Sequence, residues 1–322
     1  MDLSVFFAGT AASVPTARRG MPALLVRRGG DRLLFDCGEG TQRQLVATLG
    51  LADLDDVFLT HYHADHWLGL PGLLKTFDLR AREKPLRIHG PRGLRELLVL
   101  VGRAVGRVKF ELQLSELEPG QEVARDGYRI APFPVAHRGA AVGYVLFEDE
   151  RPGVFDPGAA VRLGLVPGPE FGRVQRGETI RGVTPGQVLG PPRPGRKLVI
   201  SGDTGPSETL RVASFRADLL IHEATFAEEE RLRAAETGHS TAAQAAEVAR
   251  DAEAAMLALT HFSTRYPVAL LRDEARAIFD NTVVPRDFDR VEIPFPERGG
   301  PELVRWSEEG SEAAAAVGDG PA

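Results

Sequence analysis

The fold is decided by residues 61–66, which read HYHADH and directly follow the apolar run VFLT. Side chains alternate in an extended segment, so His61 and His63 lie on one side of it. Asp65 and His66 then turn inward where the next helix opens. Imidazole and carboxylate ligands together suit Zn, Fe or Mn in open, catalytic sites. Three His and one Asp this close together predict a metal centre for one ion or two.

More candidate ligands stand at the ends of other apolar runs. His137 ends YRIAPFPVAH, Asp203 ends KLVISGD and His261 ends MLALTH. In α/β folds the carboxyl ends of strands carry the site, so these residues are expected beside HYHADH. Taken alone, His137 also suits a surface turn and Asp203 an Asp-Thr-Gly turn. Together the seven residues suffice for two metals bridged by Asp203, and Asp36 in LLFDCG is placed to orient a ligand His.

The rest of the chain alternates short apolar runs with helical patterns, which predicts an α/β protein with a sheet-rich core. One helix is expected to begin near Trp67. The predicted strands are LSVFFAGT, ALLVRR, RLLFDCG, DVFLTH, LRIHG, YRIAPFPVAH, AVGYVLFE, KLVISGD, DLLIHEA and MLALTHF. The predicted helices are TQRQLVATLG, HWLGLPGLLKTFDLRA, GPRGLRELLVLVGRAV, HSTAAQAAEVARDA and PVALLRDEARAIFD.

Composition restricts the possible classes of protein. The chain has 322 residues, 43% of them hydrophobic, which allows one large domain or two small ones. Its only cysteine, Cys37, excludes an internal disulfide and a Cys-rich zinc module, and is expected to be a packed residue. No apolar run approaches the ~20 residues of a membrane span, and no basic segment precedes the first apolar stretch. We therefore expect a cytoplasmic protein without membrane contact.

The overall net charge of -6 would argue against a nucleic-acid partner, but the charge is distributed unevenly along the chain. Residues 75–107 hold nine bases and three acids, a net charge of +6. This basic stretch suits either a solvated helix face or a surface that binds a polyanion. Residues 308–322 hold four acids and no base, and their low complexity predicts a disordered acidic tail.

Residues 151–195 contain ten Gly and eight Pro, so they cannot form a long helix or a central strand. Such a segment suits a linker between two domains or an arm inserted into one domain. KLVISGD, which follows it, has the pattern of a core strand and favours the arm. We therefore expect one domain over residues 1–307, with an arm at about 151–195 and the tail at 308–322.

Several motifs together resemble the tRNase Z (ribonuclease Z) family of the metallo-β-lactamase superfamily. They are GTAASVPTARR, FDCGEGTQRQL, THYHADHWLGLPGLL, VAHR, SGDTGP, IHEATF, GHSTAAQAA and LTHFSTRY, which span nearly the whole chain. HYHADH alone indicates only the superfamily, whereas HEATF, GHSTA and THFSTRY in that order are more specific. The resemblance implies an αββα four-layer sandwich with a protruding arm, and an endonuclease that removes 3′ trailers from precursor tRNA.

The resemblance also implies roles for individual residues. It assigns His61, His63, His137 and Asp203 to one zinc ion, and Asp65, His66, Asp203 and His261 to a second. It makes Asp65 the general base and places His239 on the proton path to the leaving oxygen, where Glu223 could orient it. His239 would otherwise be a simple helix-entry residue. The expected RNA contacts are Arg265, Lys75, Arg80 and, in the arm, Arg162, Arg173, Arg176 and Arg181.

The expected products are a tRNA with a 3′-hydroxyl and a trailer with a 5′-phosphate, and family members usually form homodimers. Two alternatives remain open from the sequence. The first is another hydrolase on the same scaffold, such as a lactonase, a thioesterase or a small phosphodiesterase. The second is a non-catalytic RNA-binding relative. Retention of all seven candidate ligands disfavours the second, and the arm and basic stretch disfavour the first.

Overall fold

The computed structural model describes residues 2–51 and 53–307. The predicted acidic tail at 308–322 lies outside the described residues. The strands are β1 (Leu3–Gly9), β2 (Ala23–Arg28), β3 (Asp31–Phe35), β4 (Asp56–Phe58), β5 (Leu86–Gly90), β6 (Leu112–Glu116), β7 (Val123–Arg125), β8 (Tyr128–Pro134), β9 (Val142–Glu148), β10 (Lys197–Ile200), β11 (Leu219–Glu223), β12 (Leu257–Thr260), β13 (Thr282–Val283), β14 (Arg290–Glu292) and β15 (Glu302–Val304).

The helices include every helix predicted from the sequence. They are α1 (Thr41–Leu49), α2 (Ala64–Trp67), α3 (Leu70–Leu79), α4 (Leu94–Val105), α5 (Pro157–Arg162), α6 (Pro169–Gln175), α7 (Glu208–Ser214), α8 (Arg231–Thr237), α9 (Ala242–Asp251) and α10 (Val268–Arg276). No helix among the described residues is long and apolar enough to cross a membrane.

Two mixed sheets form the centre of the fold. The eight-stranded sheet has the order β15-β14-β1-β2-β3-β4-β5-β6, and the seven-stranded sheet has the order β13-β12-β11-β10-β9-β8-β7. Strands β3 to β6 are parallel, and so are β10 to β13. Because parallel strands end at one edge of their sheet, the residues that follow β10, β11 and β12 lie along one edge of the seven-stranded sheet, and those that follow β4 lie along an edge of the eight-stranded sheet.

Aromatic side chains fill the space between the sheets. Phe35 of β3 and Phe58 of β4 stack with their ring centroids 4.9 Å apart, and Tyr144 of β9 meets Phe58 edge-on at 5.3 Å. On the outer face of the eight-stranded sheet, Leu45 of α1 and Leu73 of α3 belong to a second buried cluster. Helix α9 packs on the outer face of the other sheet against β11 and β12. This arrangement is the predicted αββα four-layer sandwich.

The chain divides into two compact units. Within the described residues, the larger comprises 2–51, 53–124, 130–146 and 197–307, and the smaller comprises 125–129 and 147–196. The smaller unit therefore includes all of the Gly/Pro-rich residues 151–195. It has a hydrophobic core of its own, to which Leu165, Val174 and Ile180 contribute. Its two helices have only six and seven residues, as the Gly and Pro content requires.

All ten predicted strands are present, but one predicted boundary is wrong. The helix expected near Trp67 begins at Ala64, and the longer helical pattern is broken into α2 and α3. Asp65 and His66 therefore lie within a helical turn rather than before it. Strands β6, β7 and β13–β15 and helices α5–α8 were not predicted, because they are short and their apolar periodicity is weak.

Candidate metal centre

Close backbone packing fixes the position of the HYHADH segment at the end of β4. A Cβ atom on Gly38 would lie 2.3 Å from the carbonyl oxygen of Asp65, and one on Gly69 would lie 2.0 Å from the carbonyl oxygen of Gly38. Only glycine permits such contacts. Helix α2 can therefore sit directly on the loop that follows β3, and this contact places Asp65 and His66 at the edge of the sheets.

The structure brings all seven predicted ligands together in two groups that share Asp203. In each group the candidate ligand atoms lie within 4.8 Å of one another. The first group is His61, His63, His137 and Asp203, and the second is Asp65, His66, Asp203 and His261. These are the two sets that the resemblance implies.

The carboxylate of Asp203 lies between the two groups. Its Oδ2 is 3.6 Å from Nε2 of His61 and 3.4 Å from Nε2 of His66, while its Oδ1 is 3.4 Å from Nε2 of His261. Oδ2 of Asp65 lies 3.4 Å from the same nitrogen of His261. These separations exceed those of good hydrogen bonds, as expected for ligands arranged around an ion rather than paired with each other.

Two properties of these residues fit a bound cation. Nε2 of His66 is buried and has no hydrogen-bond partner among residues 2–51 and 53–307, although it points at two carboxylates. Burial lowers the pKa of His66, but the carboxylates of Asp203 and Asp36 outweigh burial and raise that pKa well above its usual value. The cluster therefore favours a positive charge at this position. A set of His and Asp donors is also the set that catalytic zinc takes.

Four of the candidate ligand histidines are oriented through their other ring nitrogen, as is usual in metal sites. For His61 the partner is the hydroxyl of Thr60, 3.0 Å from Nδ1. A carboxylate oxygen of Asp36 lies 2.7 Å from Nδ1 of His66, which agrees with the orienting role predicted for Asp36. The carbonyl of Gly238 holds Nδ1 of His137 at 2.8 Å, and the hydroxyl of Thr225 lies 2.8 Å from Nδ1 of His261. Sequence reasoning missed Gly238 and Thr225, although both lie in quoted motifs: GHSTAA and IHEATF.

Two of these residues have unusual backbone conformations. Asp36 has φ 57° and His261 has φ 60°, in the left-handed region that non-glycine residues rarely adopt. Such conformations cost about 1–3 kcal/mol each and persist where the surrounding structure holds them. Because both strained residues belong to the same cluster, this edge of the sheets has the character of a functional site. Cys37, next to Asp36, is fully buried, and burial raises its thiol pKa to about 12.

His239 and Glu223 form a pair beside the two groups. Nδ1 of His239 lies 2.8 Å from Oε1 of the buried Glu223. Glu223 also accepts the backbone N–H of Thr204 at 2.9 Å and the N–H of Thr225 at 3.2 Å. Burial lowers the pKa of His239, but the Glu223 carboxylate outweighs burial and raises it to about 9. The Glu223 carboxylate therefore favours the protonated form of His239.

Arg265 lies next to this pair. A cleft of about 310 Å³ is lined by His239, Phe226 and Arg265 among other residues. The guanidinium of Arg265 lies 5.9 Å from the centroid of the Phe226 ring and 3.4 Å from Oε2 of Glu230. Arg265, which was predicted only as a phosphate contact near the cut, thus lines the same cleft as His239, and it is paired there with the acid Glu230.

The other predicted RNA contacts do not line this cleft. Lys75 is paired with Asp78 at 3.1 Å, and Arg80 is exposed at the end of α3. Other bases of the stretch 75–107 are paired with acids, Arg82 and Lys84 with Asp53. Its net charge of +6 therefore overstates the positive charge available to a partner.

The arm arginines are mostly paired within their own unit. Arg173 meets Glu178 at 2.7 Å, Arg181 meets Glu170 at 3.0 Å and Arg162 meets Asp156 at 3.8 Å. Arg176 is exposed. Exposed ion pairs are worth only about 0–1 kcal/mol, so a phosphate could replace the carboxylates at little cost.

Comparison with known proteins identifies the family. The metallo-beta-lactamase superfamily profile matches residues 20–261. A protein of Gemmatimonas aurantiaca named ribonuclease Z is 47% identical over 92% of this chain and 98% of its own length. A second ribonuclease Z, from Archaeoglobus fulgidus, is 42% identical over 92% of this chain and 100% of its own.

The chain belongs to the ribonuclease Z family. Among solved structures, the short form of human tRNase Z aligns with a TM-score of 0.66 and 29% identity, covering 90% of this chain and 99% of the human one. The metallo-beta-lactamase fold protein YhfI from Bacillus subtilis aligns with a TM-score of 0.68 at 21% identity, over 91% and 100% of the two chains. The second likeness concerns the fold alone. These findings confirm the family and the fold predicted from the sequence.

Proposed function

We propose that this protein is a ribonuclease Z, an endoribonuclease that removes 3′ trailers from precursor tRNA. It leaves a 3′-hydroxyl on the tRNA and a 5′-phosphate on the trailer. The observation that carries the proposal is the pair of ligand groups joined through Asp203, in a chain 47% identical over almost its full length to a protein of that name. A lactonase or thioesterase would need the metal centre but not the other motifs.

We propose two zinc ions per subunit, held by the seven residues described above. When bound, two ions can lower the pKa of a water molecule and neutralise charge on the phosphate. His61, His63 and His137 would hold the first ion, and Asp65, His66 and His261 would hold the second. Asp203 is shared by both, and its burial at the meeting point of the two groups supports that role.

The protein's own residues carry the proton transfers. One oxygen of Asp65 faces Nε2 of both His66 and His261 at 3.4 Å, so its carboxylate can accept a proton from a water held there. Nδ1 of His239 is engaged by Glu223, which leaves Nε2 of His239 to donate a proton to the leaving 3′ oxygen. Glu223 acts by holding that imidazole in its orientation and in its protonated form.

The RNA would contact both compact units. We assign Arg265 to the phosphate near the cut, and Lys75 and Arg80 to the acceptor end. Arg162, Arg173, Arg176 and Arg181 would grip the tRNA away from the cut, since arginine pairs well with phosphate. This substrate implies a cytoplasmic site of action.

We also propose a homodimer. Exposed apolar side chains on the adjoining helices α1 and α3 support this, with Val46 44%, Leu49 37% and Leu79 75% exposed. Light scattering should give a mass near twice the 34.8 kDa of one chain.

The function is tested by offering the zinc-loaded protein a trailer-bearing precursor tRNA, bis-p-nitrophenyl phosphate and a lactone. We expect accurate trailer removal and no preference for the lactone. Asp65→Ala should abolish cleavage while tRNA binding persists, and the matched change of the exposed Asp280→Ala should leave cleavage unchanged. Normal turnover by Asp65→Ala, or lactone hydrolysis without tRNA cleavage, would contradict the proposal.

A further inference from the structure

A second cleft, outside the metal centre, is lined by arginine. It has a volume of about 280 Å³, half of its ten lining residues are arginine, and none is acidic. The remaining lining residues are aliphatic, from α10 and the segments around β13 and β15. The five arginines come from four separate parts of the chain and are Arg19, Arg272, Arg276, Arg286 and Arg305. We call this feature the arginine cleft.

Two of these guanidinium groups, those of Arg19 and Arg276, are held in place by neutral acceptors, and Arg305 donates to a backbone carbonyl as well as to Asp289. Arg19 donates to the hydroxyl of Thr10 and to the carbonyl of Pro285 at 3.1 Å. Nε of Arg276 donates to the carbonyl of Thr282 at 2.9 Å. Arg305 donates to the carbonyl of Val284 at 3.2 Å. Neutral acceptors fix a guanidinium without cancelling its charge, so the cleft is organised before any ligand arrives.

Among residues 2–51 and 53–307, the acids paired with or packed beside these arginines do not balance their charge. Asp273 pairs with Arg272 at 2.7 Å, and Asp289 pairs with Arg305 at 2.5 Å. A third acid, Asp287, is buried and is held by Thr10 and by the N–H of Gly20. Five guanidiniums therefore face three carboxylates.

Arg286 is the least compensated of the five. It is exposed, and its side chain makes no hydrogen bond or ion pair within the described part of the chain. Burial lowers the pKa of Arg19, and the charges of Arg286 and Arg305 lower it further against the opposing effect of Asp287. An anion in the cleft would relieve this repulsion.

The arginine cleft adjoins the catalytic side of the protein. The guanidinium of Arg19 lies over the ring of Phe262, 4.6 Å from its centroid, and Phe262 directly follows the candidate ligand His261. Val268, in the cleft, is three residues after Arg265, so their Cα atoms are at most about 11 Å apart. An RNA strand whose phosphate lies near Arg265 can therefore reach the cleft within a few nucleotides.

We propose that the arginine cleft binds phosphate groups, and that during the reaction it holds a backbone phosphate of the RNA a few nucleotides from the cut. The phosphate chemistry follows from five convergent guanidiniums, whose planar donor pairs match phosphate oxygens. The volume is several times the ~30 Å³ that a water molecule occupies, so a phosphate group fits. That this phosphate group belongs to an RNA strand rests on the proposed function.

The test uses the double variant Arg272→Gln/Arg286→Gln in the zinc-loaded, full-length protein. Neither side chain is among the three that the fold holds through backbone carbonyls. The matched control is Arg43→Gln/Arg250→Gln, which removes the same charge from exposed positions. Arg250 pairs with the next residue, Asp251, at 2.8 Å, just as Arg272 pairs with Asp273. Hydrolysis of bis-p-nitrophenyl phosphate should be equal in all three proteins, since this small substrate does not need the cleft.

Two measurements decide the proposal. Equilibrium dialysis with labelled inorganic phosphate should show one bound phosphate fewer in the cleft variant than in the wild type and the control. The KM for precursor tRNA should rise about tenfold with little change in kcat, because charged hydrogen bonds to phosphate are lost. The dependence of log KM on log salt should also become shallower, by about one unit for one lost phosphate contact.

The outcomes separate the parts of the proposal. An unchanged number of bound phosphates in the cleft variant would overturn it. Loss of one phosphate with an unchanged KM for precursor tRNA would retain a phosphate site but exclude the RNA backbone as its ligand. If the wild type does not cleave precursor tRNA, the proposed function fails, while the dialysis result still decides whether the cleft binds phosphate.

Discussion

Replacing Asp36 by Asn tests whether the metal centre depends on the residue that orients His66. Asp36 accepts three hydrogen bonds: from Nδ1 of His66 at 2.7 Å, from the N–H of Thr60 at 2.8 Å and from the hydroxyl of Thr60 at 2.9 Å. Asn has nearly the same shape and tolerates the left-handed backbone at φ 57°. The change therefore removes charge and acceptors without disturbing the chain path.

The magnitude follows from the geometry of the introduced amide. Whichever way the new side chain turns, its NH₂ group meets either the N–H of Thr60 or the Nδ1–H of His66, so one buried donor loses its acceptor. An unsatisfied buried donor costs about 1–3 kcal/mol. Since about 1.4 kcal/mol is a tenfold change in affinity, zinc binding should weaken about 10- to 100-fold.

The measurement is competition for zinc against a chromogenic chelator, with bound metal counted by elemental analysis. Exposed Asp2→Asn is the matched control and should bind zinc like the wild type. The metal-free melting temperature of Asp36→Asn should fall by only a few °C, because the chain has over 300 residues. Zinc affinity within twofold of the wild type, in a variant with an unchanged circular dichroism spectrum, would refute the orienting role of Asp36.

Three further predictions test other parts of the molecule. Gly38→Ala should lower the melting temperature by about 2–4 °C and reduce zinc content, because its Cβ would lie 2.3 Å from the carbonyl oxygen of Asp65. The control is Gly30→Ala, whose added Cβ would have nothing within 4 Å. Equal melting temperatures and zinc contents in the two variants would contradict this packing argument. His239→Gln should slow precursor tRNA cleavage about 10²- to 10⁴-fold but slow bis-p-nitrophenyl phosphate hydrolysis much less, because nitrophenolate leaves without a proton. Equal losses of rate with the two substrates in single-turnover assays would exclude proton donation by His239. Arg173→Gln/Arg176→Gln should raise the KM for precursor tRNA but not for bis-p-nitrophenyl phosphate, and an unchanged KM in steady-state kinetics would remove the arm from RNA binding.

The strand-end rule explains why the candidate ligands could be predicted from the sequence. His61, His137, Asp203 and His261 each follow an apolar run, and for His61, Asp203 and His261 that run is a strand in the parallel part of its sheet. The two groups implied by the resemblance are the two groups found in space. Each of these inferences needs only the local pattern and the direction of the strands, so an error of a few residues in an element boundary does not affect it.

Features that depend on contacts between distant segments were not predictable. The helix expected near Trp67 begins at Ala64, where α2 packs on Gly38, and no local pattern shows that contact. The positive charge of residues 75–107 is partly cancelled by Asp53, which lies outside that stretch. A charge sum along the chain cannot include a partner that only folding brings near.

The sequence by itself determined the family, the α/β architecture, the candidate ligands and the lone cysteine. Only the tertiary structure decided which side chains orient those ligands, as Thr225 does for His261, and which arginines remain available to a phosphate. The arginine cleft illustrates the difference: its five residues are spread from position 19 to position 305 and share no motif. Local patterns encode elements and strand ends, whereas a charge site made from four segments exists only once those segments have packed together.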